Sequence, residues 1–298
     1  MLKLAYRILI GLAVLILAVR VADWAARRGP ALPPLPKPNG YDELVSAAHS
    51  ISKPPTDLAE MTSAQTQALA TENRPAIERA RKALQMESRV SLDTKSGWRD
   101  RHDEELKDLK RLAIAFAVEA KSQMHAGHTN DAARCSLDTI RLAQAMSRGG
   151  IQVDGINGLT IEVIGTASLQ SLLLQLDGAF PKEAARTIEE LNANREPPEE
   201  VNAREKAWSA KTYGLIHRVG GLIGGKTIAE RDKKFIERSR DTRTRTQRLM
   251  IRLAARAYEL ENQHPPSRVA ELVPKYLKTV PLDLRTSHPM QDIPVLPN

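Results

Sequence analysis

From Tyr41 onward nearly every strong hydrophobic pattern repeats with helical period, and no segment sustains the two-residue alternation of a half-buried strand. Between Glu105 and Ala126 a broad stripe runs through Leu106, Leu109, Leu112, Ala113, Phe116, Ala117, Ala120 and Met124. A second helix is expected from about Asn130 to Ser147, with Ala133, Leu137, Ile140, Ala143 and Met146 on one face and Gly149-Gly150 ending it. Ile156 to Leu176 is apolar all round and therefore expected at the centre. Asp177-Gly178 stops it, Pro181 opens a helix to about Asn194, and Glu196-Pro197-Pro198 precedes another from Glu199 to Tyr213. These patterns predict a mainly α fold, an α-helical array of antiparallel helix pairs.

Chain length allows one large domain or two small ones at 298 residues. Aromatic residues are only 4%, so the core is aliphatic and a stacking platform for single-stranded nucleic acid is disfavoured. The single cysteine, Cys135, excludes an intramolecular disulfide framework and a cysteine-rich metal site.

Ahead of the helical body, Ile8 to Val19 carries no charged or strongly polar residue. Lys3 and Arg7 precede it, and Arg20, Asp23, Trp24, Arg27 and Arg28 follow. Leu2 to Val21 counts 20 residues, matching the ~20 that cross a bilayer as a helix. A cleaved signal peptide is the competing reading. The lack of a small-x-small pair, with Arg20, Asp23 and Trp24 crowding the place for one, favours a retained single transmembrane helix with the bulk translocated. Gly29 to Gly40 holds five prolines and reads as a semi-rigid stalk of roughly 35 Å. The expected organisation is an anchor over 1–28, a Pro-rich linker over 29–40, a helical domain over 41–226, and a long basic helix with a short C-terminal module over 227–298.

Two patterns within the body carry candidate chemistry. Gly220 to Thr227 satisfies G-x-x-x-x-G-K-[ST], so Gly220, Gly225, Lys226 and Thr227 are candidate phosphate- and magnesium-binding residues. Such a loop needs a strand before it and a parallel sheet around it, and the surrounding sequence offers neither. A flexible hinge accounts for the glycines, and Thr227-Ile228-Ala229-Glu230 reads as a capping box. The second pattern is charge. Arg231 to Arg256 holds ten Lys/Arg against three Asp/Glu, a surplus of seven in a chain whose net charge is +8. Arg238, Arg245, Arg248, Arg252 and Arg256 share a helical face suited to an anionic lipid surface or an acidic partner, and placement outside the cytoplasm argues against nucleic acid.

His125 and His128, near Glu119 and Asp131, are separated by Gly127 and are expected to diverge rather than share a metal. His102-Asp103-Glu104-Glu105 reads as a charged helix start. No catalytic group, metal site or cofactor is assigned.

Three resemblances complete the reading. The turn from Ala126 to Ala133 looks like the inter-helix turn of a tetratricopeptide repeat, though no 34-residue period accompanies it. Leu249 to Asp283 resembles the segment after the long helix of type II secretion pseudopilins, through Tyr258, Pro266, Leu272, Pro274, Tyr276, Leu277, Pro281 and Asp283. Pro265 replaces the usual aromatic, Leu284 replaces a proline, and no glycine-rich hairpin follows, so a calcium site is not carried over. With Asn39 to Val45, the layout looks like that of uncharacterised anchored envelope proteins of planctomycete-type bacteria, which implies an inner-membrane setting but no activity. The expected role is therefore a non-enzymatic, membrane-anchored scaffold acting on a protein partner. An accessory of pilus or type II secretion assemblies is the alternative, and a nucleotide-dependent enzyme using Lys226 and Thr227 is the third reading.

Overall fold

The computed structural model of the chain describes residues 2–28, 33–54, 57–58, 60–284 and 286–293, with backbone alone for 2–9, 26 and 215–224. Among the described residues there are nine α-helices and no strand. They are α1 (Leu2–Ala26), α2 (Gly40–His49), α3 (Ser63–Ala83), α4 (Trp98–His125), α5 (Thr129–Ala145), α6 (Gln152–Leu172), α7 (Phe180–Ala193), α8 (Pro198–Tyr213) and α9 (Leu215–Asn262). A single antiparallel bridge joins Leu282 and Pro289 after a short 3₁₀ turn at Val269–Leu272. The mainly helical expectation is met.

Local chemistry explains most of the boundaries. Thr62 and Gln65 form a reciprocal capping box on α3. Pro181 and Pro198 occupy the first turns of α7 and α8, where a missing N–H costs nothing. Gly127 and Gly149 adopt left-handed conformations after α4 and α5, which a side chain resists.

α5 is the spine of the core and packs most extensively on α6. Its first half, through Ala133, Leu137 and Ile140, joins a cluster with α7, the end of α9 and the C-terminal module. Its second half, through Leu142, Ala143 and Met146, joins a cluster with α2, α3 and α4. The contact with α6 is close because α6 presents glycines there. A Cβ on Gly158 would lie 2.6 Å from the Ala143 carbonyl oxygen, and one on Gly165 would lie 2.9 Å from Ile140 Cγ1. α6 is therefore buried by its small face, while Ile156 and Ile164 on its other side stay exposed. The segment expected at the centre for its all-round apolar character buries one side only.

The hinge expected at Gly220 to Gly225 is absent. α9 runs unbroken for 48 residues through that string. The expected boundary at 226/227 falls inside a helix, and Thr227 is a mid-helix residue rather than a cap. Glycine costs about 1 kcal/mol relative to alanine in a helix interior, which long flanking helix tolerates. Of the expected stalk, residues 29–32 lie outside the description, and its last two residues belong to the body. Asn39 accepts from Tyr41 N and Arg89 N, and Gly40 sits so close to Ser88 that a side chain would not fit.

α1 is tied to the body just after its last residue, where Arg27 donates to the Lys211 and Thr212 carbonyls at 3.1 and 2.7 Å. Its apolar residues from Ile10 to Trp24 are exposed, with Val14, Leu15 and Leu17 keeping 60% or more of their surface open. Among the described residues no helix is long and apolar enough to cross a membrane. Ile8 and Leu9, the start of the uncharged run, lie outside the described side chains.

Alanine substitutions at two glycines separate close packing from open helix. Gly158→Ala is expected to destabilise the fold by about 1–3 kcal/mol, because Ala143 O blocks the new methyl. Gly225→Ala meets open space and is expected to stabilise by up to about 1 kcal/mol. Urea denaturation followed by circular dichroism reads both, and a loss of stability at Gly225→Ala would contradict the continuous helix.

Candidate functional site

A cleft of about 230 Å³ opens where α5, α6, α9 and the α7–α8 connection meet. Helical spacing assembles it. On α6, Gly155, Gly158, Leu159 and Glu162 recur at three- and four-residue steps and so share a face. On α9, Phe235, Ser239 and Arg243 recur at four-residue steps and face them. Arg195 and Glu196 of the α7–α8 connection close one side, and Ser147 and Arg148 after α5 close another.

One end of the cleft is apolar. Leu159, Val201 and Phe235 form a small buried cluster, with the Phe235 ring lying against Gly155. The other end is built on charge. Glu162, 1% exposed, would be costly to bury alone. Arg195 grips both its oxygens in a fork, one bond being 2.8 Å, and the Thr246 hydroxyl donates to it at 2.7 Å. At the rim Glu196 pairs with Arg204, and Glu199 with Arg240 at 3.4 Å. Every carboxylate lining the cleft thus has an arginine.

The converse does not hold. Arg148 donates to the Asn194 carbonyl at 2.5 Å, and Arg243 has no hydrogen-bond or ion-pair partner among the described residues. Burial and the neighbouring Arg195 charge together lower the Arg243 pKa, the mark of a cation held without its counter-ion. The described lining contains no histidine or cysteine. Its chemistry is ion pairing beside apolar contact.

A second polar cluster is enclosed in the core. His102 of α4, 1% exposed, stacks on Trp98 at 4.5 Å. Its Nε2 lies 2.5 Å from Asp154 at the start of α6, and its Nδ1 lies 3.2 Å from Glu105. Asp154 also accepts the Ile151 N–H at 2.7 Å, closing the first turn of α6. Tyr41 donates to Glu105 at 3.1 Å, so one imidazole ties α2, α4 and α6 together. Burial alone would lower the His102 pKa, but the hydrogen bonds and charges of Asp154 and Glu105 outweigh it and raise the value to about 9. The segment read as a charged helix start thus holds a buried, ion-paired imidazole in the second turn of α4. The Cys135 thiol is also enclosed. Burial pushes it up, and Arg81 donates to it at 3.4 Å.

The basic face of α9 divides. Arg238, Arg245 and Arg248 are exposed, and Arg238 donates to Thr160 at 3.2 Å. Arg252 is half-buried, and Arg256 donates to the Leu174 and Leu176 carbonyls at 3.2 and 3.4 Å while pairing with Glu259. Arg256 thereby serves the fold, whereas the Arg252 Nε is buried without a partner among the described residues. Gly220, Gly225, Lys226 and Thr227 lie along helix, whose backbone N–H groups are spent on the i−4 ladder and cannot wrap a phosphate. His125 meets Ser63 at 3.1 Å and His128 meets Gln123 at 3.1 Å, so the two do not converge. No metal-holding group of His, Cys, Asp or Glu occurs among the described residues. In the C-terminal module Leu272, Tyr276 and Leu277 are buried, and the Tyr276 ring lies 5.6 Å from that of Tyr258.

The chain matches no family model, no curated protein and no solved structure.

The buried imidazolium makes stability depend on pH. The folded pKa of about 9 exceeds the unfolded value near 6.5, so the stabilisation is complete below pH 6.5 and is lost as pH rises through 9. A loss on the order of 3 kcal/mol is expected across that window. Thermal melts from pH 6 to 10 read it, and His102→Gln should flatten the dependence.

Proposed function

We propose that the chain is a non-enzymatic, membrane-anchored protein of the bacterial envelope, with α1 seated in the bilayer and the helical body acting as a scaffold for a partner. The observation that carries this reading is the state of α1. Nine apolar side chains of one helix, Ile10, Leu12, Val14, Leu15, Ile16, Leu17, Val19, Val21 and Trp24, stand exposed, while most large apolar side chains of the body are buried. An apolar surface of that extent is costly in water and favourable in hydrocarbon.

The flanks support the same placement. Arg20, Arg27 and Arg28 follow the apolar stretch, and the Arg28 guanidinium lies 3.5 Å from the centre of the Trp24 ring. Tryptophan and arginine side by side suit the headgroup region. From there Arg27, paired with Asp23, holds the turn between α8 and α9. The exposed arginines Arg238, Arg245 and Arg248 offer a face for anionic headgroups or an acidic partner surface. The C-terminal module caps the end of α9 in this reading.

Fractionation of cells producing the full-length chain tests the proposal. The chain is expected in the membrane pellet, retained through washes with high salt and alkaline carbonate and released by detergent. Replacing Leu12, Leu15 and Ile16 together by aspartate should move it to the soluble fraction. Recovery of the unaltered chain in the soluble fraction, or its release by salt alone, would overturn the anchor.

A further inference from the structure

We infer that the cleft between α6 and α9 is a binding site for a small organic anion, whose acid group pairs with Arg243 and whose apolar body rests on Phe235, Leu159 and Val201. The argument begins with what the folded chain leaves unfinished. A guanidinium withdrawn from water without a counter-ion costs free energy, and a chain normally provides a carboxylate for it. Three carboxylates line this cleft, and each is committed elsewhere: Glu162 to Arg195 and Thr246, Glu196 to Arg204, Glu199 to Arg240. Arg243 stands half-buried beside Arg195 with no such partner among the described residues. Arg148 on the facing wall gives one of its donors to the Asn194 carbonyl and likewise has no carboxylate. The local balance favours an incoming negative charge.

The rest of the cleft sets the class of anion. An inorganic ion would leave the apolar Leu159, Val201 and Phe235 end without a contact. A volume of about 230 Å³ lies below the range for drug-sized ligands, which points to a body no larger than an aromatic ring or a short alkyl chain. Gly155 lets the Phe235 ring pack directly on α6, which fixes that ring as part of the apolar wall. Arginine suits the head because its planar fork meets a carboxylate through two parallel bonds. The assignment is independent of where α1 sits.

Isothermal titration of the full-length chain tests it, with 3-phenylpropionate as probe and 3-phenylpropionamide and inorganic phosphate as controls. One site for 3-phenylpropionate is expected, with binding by the amide and by phosphate weaker by about tenfold or more, the loss attached to a charge-assisted hydrogen bond. Arg243→Gln should weaken the acid by a similar factor, while Arg245→Gln, on the exposed face, should leave it unchanged. Should Arg243→Gln fail to fold, Arg243→Lys keeps the charge, loses the fork and should weaken binding to a smaller degree. Equal binding of acid and amide would overturn the ion pair. Phosphate binding as tight as the acid would overturn the apolar half. Absence of binding by 3-phenylpropionate at millimolar concentration would overturn the site itself.

Discussion

Glu162 is the interaction on which the arrangement around the cleft depends. A carboxylate on the inner side of an apolar helix cannot stay charged unless its oxygens are fully engaged. Arg195 and Thr246 engage them, and these residues come from the α7–α8 connection and from α9. One buried charge therefore ties three separate parts of the chain at fixed spacing. Arg195 commits both its terminal nitrogens to this pair while its Nε stays buried without a partner among the described residues, and its positive field is what Arg243 on α9 feels. The cleft is the space left between a satisfied ion pair and a cation that the fold does not satisfy.

His102 plays a comparable part at the start of α6. There the cation is enclosed and the two carboxylates reach it from α4 and α6. The first turn and the middle of α6 are thus held by buried charge, and Gly158 and Gly165 on either side of Glu162 seat the helix against α5. Such pairs contribute little if compared with well-packed apolar residues, but losing one partner is severe because it strands the other. They set which helix faces which more than how strongly the helices adhere.

Much of the helical plan was readable from period and punctuation. α5, α7 and α8 begin and end within about two residues of the positions expected from Gly149, Pro181, Pro198 and Tyr213. The glycine string in α9 misled because a punctuation rule weighs residues singly, whereas a helix held by packing over its second half absorbs a few unfavourable ones. The cleft was less readable. Arg243 sits among nine other cations between Arg231 and Arg256, and nothing local distinguishes a satisfied arginine from an unsatisfied one. Glu162 did carry a signal, as the single charged residue between Ile156 and Leu176. A lone carboxylate in such a run demands a partner, but the identity of that partner depends on tertiary proximity. The enclosure of Cys135 and His102 depends on tertiary proximity in the same way.

The unbroken course of α9 has a mechanical meaning. Forty-eight residues at about 1.5 Å each make a strut of roughly 70 Å, and Arg27 fastens the end of α1 beside its origin. Arg243 lies 28 residues along it, some 40 Å from that fastening by the same rise. A strut with no joint transmits tilt as well as distance. If lipid fixes the direction of α1, the mouth of the cleft is held at a set height and bearing relative to the surface, and whatever enters must arrive at that level.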